Sequence, residues 1–226
     1  MKKLNFIIKC GLALLLLSFY SCESWLNVTP SDRLSEEMLF NDREGFVKAL
    51  NGVYIELNTN ELYGRNLTAG ALDVMGQYYS VASSSHAFYN YGGLVYTGND
   101  EKALFDNMWQ KCYAVIACCN TIIEKCDENK AGLSPVWRGS IKGEALALRA
   151  MLHFDMLRLF GPLTSELDKE SIPYQTNSDQ TVTPLLSGSE VVGLILDDLK
   201  NAVGLLKDTD PYFVEEEFSD TDLNYR

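Results

Sequence analysis

The run from Ile141 to Phe160 leaves a chain few ways to fold. It consists almost wholly of strong helix formers, and Gly161-Pro162 ends it. Ile141, Ala145, Leu148, Leu152, Met156 and Leu159 make one apolar row at three- and four-residue spacing. Leu146, Ala150, His153, Leu157 and Phe160 make a second, widened by Ala147, Met151 and Phe154. A helix apolar round most of its girth cannot lie on a surface by one face alone; it predicts neighbours on several sides. Its charges are Lys142, Glu144, Arg149, Asp155 and Arg158, and each must reach an edge or a partner.

Leu133-Ser134-Pro135 begins this helix, and another precedes it. Asn99-Asp100-Glu101 predicts a helix start with a capping side chain and acids in the first turn. Phe105, Met108, Trp109, Cys112, Tyr113, Ile116, Cys119 and Ile123 then keep helical step, with Asn120 mid-stripe as a buried side chain tied to backbone. The two helices read as an antiparallel pair joined by residues 127–132. A bulky Trp109 facing small Ala145 and Ala147, closed by Pro162, is how a tetratricopeptide unit packs. One such pair cannot bury its own faces, so further helices are required. Residues 34–57 supply one long or broken helix with a stripe of Phe46, Leu50, Val53, Tyr54 and Leu57. Ser187-Gly188-Ser189-Glu190 caps a last one with Val191, Leu194, Ile195, Leu199, Ala202, Val203 and Leu206. Between them, residues 163–186 hold no steady period and read as a wandering loop tethered by Ile172-Pro173-Tyr174. Asp197-Asp198, with no basic or His neighbour in sequence, reads as a solvated helix face. The fold class is all-α: tetratricopeptide-like helical pairs with long irregular loops.

The N-terminus reads as an export signal over residues 1–21. Lys2, Lys3 and Lys9 precede an apolar run from Cys10 to Tyr20, too short for a comfortable membrane-spanning helix of ~20 apolar residues. The break at Ser21-Cys22 fits either a plain secretory cut near Ser21 or a lipoprotein signal in which Cys22 takes the acyl chains. Residues 22–226 would then carry 16 basic against 31 acidic side chains, a net charge of −15. That balance disfavours nucleic acid and anionic lipid as ligands, because phosphate must be met by Lys and Arg. Cys112, Cys118, Cys119 and Cys126 show no Cys-x-x-Cys or Cys/His spacing for zinc. Those repeating every seven residues stand ~10 Å apart along a helix, too far to bridge. All four read as small core residues.

From Asn58 to Gly98 the character changes: glycines and serines punctuate a stretch rich in Tyr, with no helical period after about Gly76. Long aromatic loops inside a globular chain either serve a function or plug gaps over helices. Tyr joins a flat apolar face to a hydroxyl, and sugar rings offer apolar C–H faces beside hydroxyls. Tyr89, Asn90, Tyr91, Tyr96 and Asn99 are the candidate ligand contacts on that ground.

The run Gly143-Glu144-Ala145-x-Ala147-Leu148-Arg149-Ala150-x-x-x-Phe154-x-x-x-Arg158-x-Phe160-Gly161 resembles the hallmark helix of the SusD/RagB family of outer-membrane nutrient-binding lipoproteins. Residues 46–54, the series Trp109, Tyr113, Ile116, Cys119, Asn120 and Ile123, and Glu190-Val191-Val192-x-x-Ile195-Leu196-Asp197-Asp198-Leu199-x-x-Ala202 are similar to it as well. The resemblance implies further tetratricopeptide-like helices, lipidation of Cys22, and an outer-membrane protein facing the cell exterior. It also implies a partner, a SusC-like TonB-dependent outer-membrane transporter, over which such a protein sits as a lid that delivers glycan or another nutrient oligomer. Family members commonly run to about twice this length or more. Residues 22–226 therefore read as a SusD-like N-terminal region, with a ragged apolar face expected where further helices would pack.

No catalytic constellation accompanies these features. His86 and His153 lack an acid at catalytic spacing, there is no Gly-x-Ser-x-Gly, and Gly92-Gly93 lacks the strand and the Lys-Ser/Thr of a phosphate loop. The chain reads as a non-enzyme with no cofactor and no metal. Three functions compete: a lipid-anchored glycan-capture subunit, a helical-repeat scaffold that binds protein without small ligand, and a hydrolase whose catalytic half lies elsewhere.

Overall fold

The computed structural model describes residues 36–179 and 181–209. The signal over 1–21 and the acylation of Cys22 lie outside the described residues. The described residues from 39 to 209 belong to one compact unit. Of the separate N-terminal unit, only the start of a helical turn, α1 (Glu36–Leu39), is described.

The order is α2 (Arg43–Leu57), α3 (Ala71–Met75), α4 (Tyr89–Gly92), α5 (Asn99–Glu128), α6 (Pro135–Phe160), a 3-10 turn (Thr164–Glu166), β1 (Glu170–Pro173), β2 (Leu185–Ser187) and α7 (Gly188–Thr209). Of the described residues 63% are helical, and their one sheet has two strands. This is the expected all-α class.

Helix α6 is the axle. α5, α7, α2 and β1 all pack on it. Ala145, Leu152, Met156, Ala150 and His153 on it are fully enclosed. Ser134 caps its start by accepting the Trp137 N–H, and Pro135 follows where no N–H is needed. The α5–α6 link turns at Asn129, whose left-handed backbone (φ 46) ends α5, and at Gly132 (φ 65). The Asn129 side chain locks that turn by accepting the Leu133 N–H at 2.7 Å and donating to the Leu133 carbonyl. α7 runs antiparallel to α6: Thr209 lies against Gly139, and Leu206 and Ala202 lie against Gly143. A Cβ at Gly143 would stand 2.8 Å from Leu206 Cγ and 3.3 Å from the Ala202 carbonyl oxygen. The first residue of the motif, Gly143, is thus bare because α7 closes on α6 there.

The helix at residues 34–57 is broken, as one of the two expected forms had it, at Asp42. This residue sits in extended backbone and accepts the Gly45 N–H at 2.9 Å. Phe46, Leu50, Val53 and Leu57 are buried as their spacing predicts. Asp42→Ala removes the cap and should cost about 1 kcal/mol. A domain of this size would then melt about 2–4 °C lower; an unchanged melting temperature by circular dichroism would show the cap to be idle.

The five charges of α6 from Lys142 onward each find a partner. Lys142 pairs with Asp127, Glu144 accepts from the Tyr54 hydroxyl, Asp155 accepts from Tyr63 at 2.5 Å, and Arg158 pairs with Asp155. Arg149 is the buried one. Its Nε and Nη2 each donate to Asp198 at 2.7 Å, and Nη1 donates to Asn120 Oδ1 at 2.8 Å. Tyr174 donates its hydroxyl to the same Asp198 at 2.6 Å. Burial alone would lower the guanidinium pKa, but the hydrogen bonds and charge of Asp198 hold it raised. Asn120 donates to the Gln175 and Asn177 carbonyls, as a buried side chain tied to backbone should. His153 is a satisfied core residue: its Nε2 accepts the Gln175 N–H at 3.1 Å, so Nδ1 carries the proton and donates to the Arg149 carbonyl at 2.9 Å. Its ring stacks on Tyr174 with centroids 3.9 Å apart.

Several expectations are corrected. Asp198 is not on a solvated face; it is buried against Arg149, while its neighbour Asp197 pairs with Lys200 in the open. Residues 163–186 do not simply wander. β1 and β2 pair antiparallel across them, Glu170 opposite Ser187 and Pro173 opposite Leu185, with an irregular register. The tether itself stands, with Ile172 and Tyr174 buried. Cys118 is exposed, unlike Cys112, Cys119 and Cys126. Asn99 caps nothing: Gly98 is the N-cap of α5 and no side chain closes it. Finally, the apolar rows are not all covered. Met151 and Phe154 on α6 and Leu196, Leu199 and Val203 on α7 are exposed. Helical spacing sets both strips on the same side of the α6/α7 contact, so they form one uncovered apolar face.

Candidate functional site

Residues 58–98 fold as a string of tight turns rather than as open loop. Leu62 and Leu67 are driven into the core, and Asn66 is buried with its carbonyl accepting the Leu72 N–H. The short helices α3 and α4 then lean on each other. At the joints, Gln77 (φ 60) and Leu94 (φ 55) sit in left-handed backbone that a non-glycine residue adopts only under constraint.

The aromatic rings divide between two jobs. Phe88, Tyr91, Phe105, Phe160 and Trp109 form a chain of edge-to-face contacts with centroids 5.0–6.2 Å apart, which fastens the loop to α5 and α6. Tyr96 joins it against Phe105 at 5.5 Å. The other rings face out: Tyr78, Tyr79 and Tyr89 are exposed. Tyr79 and Tyr89 wall a cavity of about 390 Å³ with Gln77, Asn90, Gly93 and Val95 on its lining.

Of the residues named from sequence, the structure brings Tyr89 and Asn90 to this cavity. Asn90 donates its amide to Glu101 Oε1 at 2.7 Å, and Glu101 is buried behind it. Tyr91 lies beneath, only 2% exposed. Burial first, then the charges of Glu101 and Asp100, raise its phenol pKa. Tyr96 is half-buried and its phenol is raised by burial. Both support the loop from inside. Asn99 stands exposed at the start of α5, away from the cavity lining. Sequence reasoning passed over Gln77, Tyr79 and Val95. The clue available was Gly76-Gln77, where the last helical step ends, but nothing local foretells a left-handed Gln.

Burial pushes the Cys112 thiol up, and those of Cys119 and Cys126 to about 12, so none is a thiolate near neutral pH. Among the described residues no group of three His, Cys, Asp or Glu side chains could hold a metal ion. None of the described helices is long and apolar enough to cross a membrane.

Comparison with known proteins places these observations. The model of a SusD-like family, described as starch-binding and associating with the outer membrane, matches residues 24–219. SusD-like protein P38 of Formosa agariphila is 27% identical over 199 residues, and SusD-like protein P2 of the same organism is 26% identical over 166, covering 80% and 71% of this chain. The matches cover 34% and 30% of those proteins, so the chain corresponds to about a third of the relatives' length. With the motif helix at the centre of an all-helical body and the family model matched over most of its residues, the chain belongs to the SusD-like family.

Proposed function

We propose that the protein captures glycan at the bacterial outer surface, held by acyl chains on Cys22, and hands it to a SusC-like TonB-dependent outer-membrane transporter. The observation that carries this reading is a cavity walled by two outward tyrosines in a chain of a family described as starch-binding. Tyr89 and Tyr79 supply the apolar faces on which pyranose C–H surfaces rest, and Asn90 and Gln77 supply polar atoms for hydroxyls. Tyr91 and Tyr96 act one layer down by fixing the loop, and Asn99 offers an amide at the rim of α5. Two or more acyl chains on Cys22, each worth ~0.8 kcal/mol per buried methylene, would anchor the body without a spanning helix. The action is binding and delivery, with no bond broken.

Retardation of the full chain in native gels cast with polysaccharide tests the capture, and co-purification with a barrel protein tests the partnership. Tyr89→Ala should weaken retention about tenfold, near 1.4 kcal/mol, and Tyr79→Ala combined with it should abolish retention; melting temperatures should hold, because both side chains are exposed. A specific observation favours a second reading. The uncovered apolar face on α6 and α7 suits a protein-binding scaffold. Tight capture of a protein with no retention on any polysaccharide would select it, and release of labelled fragments from glycan would instead reveal a hydrolase.

A further inference from the structure

The two amide side chains of the cavity, Gln77 and Asn90, are each held with the carbonyl oxygen left free. Gln77 donates its amide to the Gly92 carbonyl at 3.0 Å and the Val74 carbonyl at 3.4 Å. Asn90 spends its own on Glu101 at 2.7 Å. Flipping either amide would set oxygen against oxygen, in the second case against a carboxylate, so hydrogen-bond chemistry fixes both orientations. What remains for a ligand is Gln77 Oε1, Asn90 Oδ1 and the second Asn90 amide N–H, beside the neutral hydroxyls of Tyr79, Ser80 and Tyr89 on the lining. Glu101 is buried directly behind Asn90, and its charge with that of Asp100 is felt at the Tyr91 phenol. None of the described residues lining the cavity is Lys, Arg or His.

We infer that this cavity, on the reading that it captures glycan, selects uncharged sugars and turns away those carrying sulfate or carboxylate. A sugar hydroxyl has a proton to give to Gln77 Oε1 and Asn90 Oδ1. A sulfate or carboxylate has only lone pairs, so it repels the two amide oxygens and finds only neutral N–H and O–H donors. It must also shed water beside a buried negative charge with no cation to offset the loss. Tyr89 and Tyr79 are indifferent to this choice, since a ring face stacks on either kind of sugar. The discrimination therefore lies with the two amide oxygens, the buried carboxylate behind them and the want of a cation among the described lining residues.

The test uses the full chain in gels cast with neutral polysaccharides (amylopectin, xylan, galactomannan) and with anionic ones (dextran sulfate, carrageenan, polygalacturonate). Retention confined to the neutral gels, changing less than about twofold between roughly 0.05 and 0.5 M salt, is the expected result. Equal or stronger retention on an anionic gel, or a steep loss with salt, overturns the inference while leaving glycan capture standing. Retention on no gel overturns the capture reading and the inference with it. The Tyr79→Ala/Tyr89→Ala double variant locates the effect: neutral retention that survives it would move the selection away from this cavity.

Discussion

Arg149→Ala should lower the melting temperature by about 6–20 °C. Removing one partner of a buried ion pair typically costs about 3–5 kcal/mol, because the charge left behind has neither water nor counter-ion, and a domain of roughly this size melts about 2–4 °C lower per kcal/mol. Here the charge left behind is Asp198, with only the Tyr174 hydroxyl still donating to it. The loss spreads further, since Arg149 also steadies Asn120 Oδ1 and the Thr176 carbonyl, and Asn120 in turn holds two carbonyls of the 175–177 segment. Arg149→Lys should rescue little, because an ammonium cannot reproduce the two-pronged bond to Asp198 while also reaching Asn120. Arg149→Ala/Asp198→Ala should melt above Arg149→Ala, with no charge then stranded. A loss under about 2 °C for Arg149→Ala by scanning calorimetry would mean that the pair is solvated and the lock idle.

The second large effect is acid sensitivity centred on His153. Burial, reinforced by the Arg149 guanidinium and opposed by its bond to the Arg149 carbonyl and by Asp198, pushes this imidazole down to about 4 from an ordinary 6.5. The folded protein therefore keeps it neutral where the unfolded chain takes up a proton. Its contribution is fully present above pH 6.5 and is lost as the pH falls through the window to about 4. At 1.36 kcal/mol per pH unit that loss is on the order of 3 kcal/mol. Urea titrations at neutral pH and near the lower end of that window should reveal it, and His153→Gln should flatten the difference relative to the parent. Parallel curves for the two proteins would sink the idea. Physically, a proton on Nε2 would abolish acceptance of the Gln175 N–H and release the segment that Ile172 and Tyr174 pin to the body.

Both effects belong to one polar lock, and the lock was only half visible beforehand. Asn120 and His153 could be placed as buried, partnered side chains because each interrupts an apolar stripe. Asp198 could not. On its own helix it looks like one of two adjacent acids, and the cation that claims it lies 49 residues away on α6. Sequence neighbourhood has no means of expressing that distance. The hairpin of β1 and β2 escaped for a related reason: strands of four and three residues with a proline carry almost no periodic signal, and their pairing partners are remote.

The candidate site divides in the same way. That residues 58–98 would be aromatic and irregular, with Tyr89 and Asn90 among the groups on offer, followed from residue types alone. Which tyrosines turn outward did not, because a segment without a period has no inside face to read. Tyr91 and Tyr96 go inward since Phe105 waits there at ring-contact distance from both, and Gln77 turns the chain left-handed just before Tyr79, which shares the cavity with Tyr89.

Local pattern thus settled the long helices and most of their buried rows, because spacing of apolar residues along a 3.6-residue turn is a property of the chain itself. Packing settled the rest: which helix covers which stripe, why Gly143 must lack a side chain, why Met151, Phe154 and Val203 stay wet, and which acid Arg149 binds. Those outcomes depend on contacts between residues far apart in sequence, whose energies exist only once the helices have been brought together.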